Sequence, residues 1–387
     1  VAVPEWIWFV FIFAFGCCIG SFLNVVIYRL PRDKSLVTPP SACPACGKHI
    51  RFYDNIPLVS WLLLGRKCRF CKAKISPRYF VIELLTALVF IGVFVLYFRT
   101  DLRPGVDPFL QGGWLIYLAS IIMLSAFIAA SAIDLELWII PVSICWFVTI
   151  IGLIASALGV YVIDPADITS YALLPTTKAV FINDVTIASI TAGAVIGLPI
   201  SLLLLTTGLI KRSYESEDLQ DLPDKQQESA GEQEFLHRRE ICREIIFLLP
   251  IIVCSAAAYW VIRQWSWWLV FSQRPVIAGL LGSLWGYFVG CGVVWATRIF
   301  GTLAFGKEAM GLGDVHLMGA AGAVIGAPFV IVAFFIAPFF GLAWVAFQMF
   351  FKKIRQIPYG PFLSLGVFVV IILHDKILNY LNFVFQR

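Results

Sequence analysis

The chain has 387 residues, of which 60% are hydrophobic, 15% aromatic and only 14% charged. That balance excludes a soluble globule, a disordered chain and a fibrous protein, and it is the composition of a polytopic membrane protein whose lipid-facing surfaces are as apolar as its interior. The formal net charge of +5 is small and argues against a nucleic-acid partner, so the information lies in where the 29 Lys and Arg residues fall.

Crossing a bilayer takes about 20 apolar residues. Runs of that kind lie at 5–28, 79–98, 113–133, 139–162, 188–210, 245–262, 276–300 and 361–381. The stretch from Leu317 to Phe351 is too long for one span and is broken by Gly326, Pro328 and Pro338, which predicts a short helix to about Ala327 and a full span after it. The fold class expected is all-α, a polytopic bundle of about nine to ten membrane segments. Segment 1–28 lacks a basic n-region and is too long for a signal-peptide core, so it reads as a first transmembrane segment. After it come a cysteine-bearing loop at 29–78, helices at 79–210, a polar Glu-, Asp- and Gln-rich loop at 211–243 expected to be solvated and mobile, and helices again at 244–387.

Orientation follows from the basic residues. With the N-terminus outside, the segments 29–78, 211–243, 298–314 and 352–360 face the cytoplasm and carry 22 of the 29 Lys and Arg residues, against 7 elsewhere. The positive-inside rule therefore selects this topology.

Cys43-Pro44-Ala45-Cys46 and Cys68-Arg69-Phe70-Cys71 form two C-x2-C pairs in the first cytoplasmic loop, separated by 21 residues. Pairs so spaced close a tetrahedral thiolate site for structural Zn²⁺, with no open coordination position for chemistry. Disulfides are disfavoured in a reducing cytoplasm; an iron–sulfur or redox use of the four thiols is the remaining alternative. His49, three residues after Cys46, reads as a solvated loop residue with ligation as its alternative.

An ionisable side chain at the edge of a span is costly and is by default a functional candidate. Glu83, Asp134, Glu136 and Asp314 qualify. Asp134 ends the third apolar run, and Asp314 follows the seventh in Gly311-Leu312-Gly313-Asp314; four spans lie between them, so both return to one membrane face. Such a pair has the makings of an aspartic-protease dyad, in which one carboxylate activates water and its protonated partner polarises a carbonyl. Gly311 and Gly313 are supporting candidates because a residue without a side chain lets backbone approach a neighbour or substrate closely. Glu136 is a supporting carboxylate. For Glu83 two readings stand: binding a substrate's positive amino-terminus or a methyl donor, or pairing with Arg78.

The stretches Gly20-Ser21-Phe22-Leu23-Asn24, Asn55-Ile56-Pro57-Leu58-Val59-Ser60, Arg78-Tyr79 with Glu83, Ile133-Asp134, Gly306 to Asp314 and Ile357-Pro358-Tyr359-Gly360-Pro361-Phe362, with the four cysteines, resemble in order the pattern of type IV prepilin peptidases. The resemblance implies a GxGD-type aspartic endopeptidase of the bacterial inner membrane, multi-pass and with its active site facing the cytoplasm. Its implied partners are membrane lipid, prepilin and type II secretion pseudopilin substrates, and the pilus or secretion assembly machinery. Asp134 and Asp314 fall on the family's catalytic positions. S-adenosylmethionine is implied as methyl donor for N-methylation of the new amino-terminus, an activity associated with the region here at 29–78. The sequence departs from the family pattern at Pro141-Val142, where Pro-Asp is usual, at His316, where Lys is usual, in having four spans between the two Asp residues where two are usual, and in the short basic stretch Arg29 to Ala42. Two other classes fit parts of the sequence: an ion-coupled transporter using the two Asp residues, and a catalytically silent scaffold with a zinc-finger loop.

Overall fold

The computed structural model describes residues 4–178, 184–209, 230–306, 308–350 and 358–385, excluding the side chains of 5, 230–238 and 350. Among the described residues the regular elements are helical, with β-structure limited to the isolated bridges Ala42↔His49 and Lys67↔Lys74. In chain order they are α1 (Glu5–Arg29), α2 (Val59–Leu63), α3 (Pro77–Phe98), α4 (Gly113–Leu137), α5 (Val142–Val162), α6 (Pro165–Ser170), α7 (Asp184–Thr206), α8 (Ala230–Val261), α9 (Ser266–Ser272), α10 (Pro275–Phe305), α11 (Leu312–Ile325), α12 (Ala327–Phe350), α13 (Gly360–Ile372) and α14 (His374–Phe385), with short 3-10 turns between some of them. Eight of these are long and apolar enough to cross a bilayer. The protein is a multi-pass membrane protein.

The chain forms two compact units. One comprises the chain up to Val148 together with Phe335–Asp375, and the other comprises Thr149–Phe334 with the residues from Lys376 onward.

In the first unit α4 is the most enclosed span. Its first turns meet α3 in an aromatic cluster of Phe94, Phe98, Phe109 and Tyr117, ring centroids 5.2–6.3 Å apart. The Tyr97 hydroxyl bonds Ser120 Oγ at 2.7 Å. The other end of α4 stops where Trp138 turns left-handed (φ 60°, ψ 30°) and donates its N–H to the Asp134 carbonyl at 2.9 Å, with Pro141 following. Asp134 is thereby fixed in the last turn of a buried helix. α3 begins at a Ser76 cap with Pro77 at the first helical position, where a missing N–H is harmless.

In the second unit α10 and α11 approach so closely that a Cβ on Gly286 would lie 2.0 Å from the Gly322 carbonyl oxygen, and one on Gly322 2.0 Å from that of Gly286. Small residues at helix contacts are how membrane helices gain packing energy without a hydrophobic driving force. Ser283 adds an interhelical bond, donating to the Ala323 carbonyl at 2.7 Å. α7 and α8 run together, with Ser201 donating to the Phe247 carbonyl at 2.8 Å. Trp268 closes the end of this pair, its indole N–H bonded to Ser189 Oγ at 2.9 Å over Val185 and Ala188.

Three expectations change. The run 361–381 is two helices bent by 79° around Leu373, because His374, Asp375 and Lys376 interrupt the apolar surface. α8 begins at Ala230, so the last part of the polar stretch 211–243 is helix; the part up to 229 lies outside the described residues. Arg243 and Arg298, two of the basic residues assigned to the cytoplasmic segments, are buried and paired with Glu240 and Glu244. The helix break at Gly326 falls where the sequence places it.

Candidate active site and metal centre

The four loop cysteines converge. Their Sγ atoms all lie within 4.8 Å of one another, and Cys43 Sγ is 3.8 Å from Cys71 Sγ. Four sulfurs about 2.3 Å from one tetrahedral ion stand about 3.8 Å apart, so the set fits a single metal. Each pair is a tight turn of the same form. Gly47 N–H donates to the Cys43 carbonyl at 2.8 Å and Lys72 N–H to the Cys68 carbonyl at 3.0 Å, with both donors left-handed (φ 68° and 60°). N–H groups of Cys71 and Phe70 point at the Cys68 sulfur and pull its thiol down to about 6, which favours the thiolate that a metal needs. For Cys71 the Ala73 N–H lowers the value, but loss of solvent and the hydrogen bonds shared with Cys68, Cys46 and Cys43 push it up to about 11. His49 is exposed and stands outside this cluster. Arg69 braces the loop with a bidentate fork on Asp54, at 2.6 and 2.8 Å, which holds that carboxyl below the usual carboxylate range.

Glu83 is buried in α3 and accepts the Leu58 N–H at 2.7 Å. Leu58 has φ 61° and ψ −51°, a conformation that costs a side-chain-bearing residue about 1–3 kcal/mol and persists only where neighbours impose it. The carboxylate is one such neighbour. Of the two readings of Glu83, pairing with Arg78 is not what the structure contains: Arg78 bonds Glu136, which is exposed at the end of α4.

Asp134 is 6% exposed, and its Oδ2 accepts the Gly360 N–H from the start of α13 at 3.1 Å. A Cβ on Gly360 would stand 2.6 Å from that oxygen, so only glycine permits this approach. Asp314 is 8% exposed in the first turn of α11, where Oδ2 accepts the Gly311 N–H at 3.3 Å. Carboxylates suit that end of a helix, where unpaired N–H groups point outward. Gly311 is exposed and Gly313 partly so, leaving the backbone beside Asp314 open. His316, two residues on, lies with its Nδ1 3.4 Å from the Tyr287 hydroxyl. Asp134 belongs to the first unit and Asp314 to the second.

A profile described as "Bacterial Peptidase A24 N-terminal domain" matches residues 14–97, and one described as "Type IV leader peptidase family" matches 238–346. In these two stretches the chain is similar to the type IV leader peptidase family. Among its relatives, a "Prepilin leader peptidase/N-methyltransferase" of Myxococcus xanthus is 42% identical over 147 residues, covering 38% of each chain. A "Type 4 prepilin-like proteins leader peptide-processing enzyme" of Escherichia coli is 45% identical over 139 residues, 31% of this chain and 46% of the relative. A third, from Aeromonas salmonicida and named like the first, is 34% identical over 182 residues, 41% of this chain and 58% of the relative. The chain thus spans 38–58% of the length of these curated relatives. No solved structure matches it.

The family's first matched stretch contains Glu83 and all four cysteines, and its second contains Asp314; Asp134 lies in neither. Sequence reasoning misses two residues that the structure brings forward. Gly360 enters only as part of a resemblance, with no sign that it faces Asp134. Arg298 is a lone guanidinium in an apolar run, a signal that counts as a topology marker until its partners are seen.

Proposed function

We propose that this chain is a membrane aspartic endopeptidase that removes the short basic leader from type IV prepilins and type II secretion pseudopilins at the cytoplasmic face of the bacterial inner membrane. The observation that carries this reading is the seat of Asp314. It is a buried carboxyl in the first turn of a short apolar helix, beside exposed glycine backbone, within the stretch that matches the Type IV leader peptidase family. Asp134 is its proposed partner, oriented by Gly360. The relatives' names supply the substrate class.

In this reading the two carboxyl groups share one proton. The ionised one takes a proton from water as the hydroxide adds to the scissile carbonyl carbon, while the protonated one donates to the carbonyl oxygen. Collapse of the tetrahedral adduct breaks the C–N bond, the amine leaves with the proton first taken from water, and a hydroxyl proton of the adduct returns to the carboxylate that had donated its own. No metal enters these steps. Four thiolates leave no open position, so we assign the cysteine cluster to structural Zn²⁺, which would hold the 29–78 loop in shape.

The relatives' second printed activity, N-methyl transfer, is a further proposal for this chain, with S-adenosylmethionine as donor. Glu83 is already committed to the Leu58 N–H and fits a clamp on the loop better than a seat for that donor, so no step is routed through it. Co-expression with a prepilin bearing a basic leader tests the proposal: the leader should be lost in the presence of the parent chain and retained with Asp134→Asn or Asp314→Asn. Retention of the leader with the folded parent chain would count against it.

A further inference from the structure

Arg298 is 1% exposed, the largest of the fully buried side chains. A guanidinium enclosed in an apolar span persists only where acceptors surround it. Its Nε donates to Glu244 Oε1 of α8 at 2.8 Å, and its Nη1 donates to Glu308 Oε1 at 2.6 Å and to the Met310 carbonyl. Glu244 is itself buried, and its second oxygen accepts the Trp295 indole N–H at 2.9 Å. Both carboxylate oxygens are thus engaged, which fixes the plane of the group and the orientation of the guanidinium against it.

The other end of that guanidinium holds Glu308-Ala309-Met310, the three residues directly before Gly311-Leu312-Gly313-Asp314. Ala309 N–H adds a third tie, donating to Thr302 Oγ1 of α10 at 3.3 Å. Gly311, the next residue, is the one whose N–H reaches Asp314 Oδ2. An unbroken series of contacts therefore runs from Glu244 through Arg298 and the 308–310 segment to the Asp314 carboxyl, all inside the second unit.

We propose that Arg298, oriented by Glu244, is a positioning residue that sets the N-terminus of α11 and with it the angle of the Asp314 carboxyl. This rests on the reading of Asp314 as catalytic. It also gives work to α8, one of the four spans between the two Asp residues. A point charge cannot serve three acceptors in the planar geometry of the fork. Arg298→Lys should therefore leave the protein folded while letting the segment drift, and a drift of about 1 Å at a reacting group lowers rate by about 10²-fold.

The test is steady-state cleavage of a prepilin by purified full-length chain in detergent, with thermal unfolding measured on the same samples. The variants are Arg298→Lys and the charge-neutral pair Glu244→Gln with Arg298→Met, which strands no buried charge. Asp314→Asn runs beside them. Expected are a fall in kcat of at least about tenfold for both, an unchanged KM and near-parental unfolding. Parental kcat in both variants, with Asp314→Asn silent, overturns the positioning role and leaves the peptidase reading intact. A loss of rate that merely follows the unfolded fraction makes Arg298 structural and also overturns it. Cleavage by Asp314→Asn at the parental rate overturns the catalytic reading and this inference with it.

Discussion

Replacing Gly360 by alanine perturbs the seat of Asp134 by a single methyl group. The added Cβ would lie 2.6 Å from Asp134 Oδ2, 3.0 Å from Ile140 Cδ1 and 3.4 Å from Asp134 Cγ. Carbon and oxygen at ordinary contact need about 3.4 Å, so the carboxyl has to move by roughly 0.8 Å. That movement weakens a 3.1 Å hydrogen bond to a carboxylate, worth about 1.5–3 kcal/mol. Alanine at the first position of α13 returns at most about 1 kcal/mol of helix propensity, so the net loss of stability should be about 1–2 kcal/mol. Catalysis should suffer more, because displacing a reacting group by close to 1 Å costs about 10²-fold in rate. The assay is prepilin cleavage followed by gel mobility, with thermal unfolding of the same preparation. Cleavage at the parental rate by folded Gly360→Ala would refute the positioning of Asp134 through Gly360.

Cys43→Ser and Cys71→Ser should each lower bound zinc from one ion per chain and loosen 42–74, read by metal analysis and hydrogen exchange; iron in place of zinc would reject the assignment. Glu83→Ala should expose the Leu58 turn to exchange by about 1.5–3 kcal/mol of lost protection, while Glu83→Gln, which keeps an acceptor, should retain most of it. Equal exchange in the two variants would rule out the clamp. Asp54 is held below its usual range by Arg69, so its contribution to the loop should be complete above the ordinary Asp value of about 3.9 and fade as pH falls through the lowered one. In metal-free protein, Asp54→Asn should therefore weaken the loop at pH 7 and match the parent in strong acid; a difference that persists in strong acid would contradict the pairing.

The membrane spans are legible because a bilayer sets a length, and apolar runs of that length have no other use at this density. The cysteine centre is equally legible, since two C-x2-C pairs specify their own turns and need only one another. Asp134 and Asp314 stand out as carboxyls beside apolar runs. What holds them is not visible in the same way: the Gly360 N–H comes from 226 residues away, and no local pattern announces a backbone donor. The polar composition of 230–243 misleads for a related reason. Glu240 and Arg243 have the composition of a solvated loop, yet on a helix they turn inward and form an ion pair that makes burial affordable. The bend around Leu373 is hidden because three polar residues barely dent a long hydropathy window.

The measurement that bears most directly on the peptidase reading is mass spectrometry of a prepilin recovered from cells that express this chain, Asp134→Asn or Asp314→Asn. With the parent chain the predicted product lacks its leader, and its new amino-terminus carries a methyl group if the second activity is present. With either Asn variant, at equal membrane abundance, the full leader should remain. A leader removed equally well by both variants would contradict the assignment of Asp134 and Asp314 to catalysis.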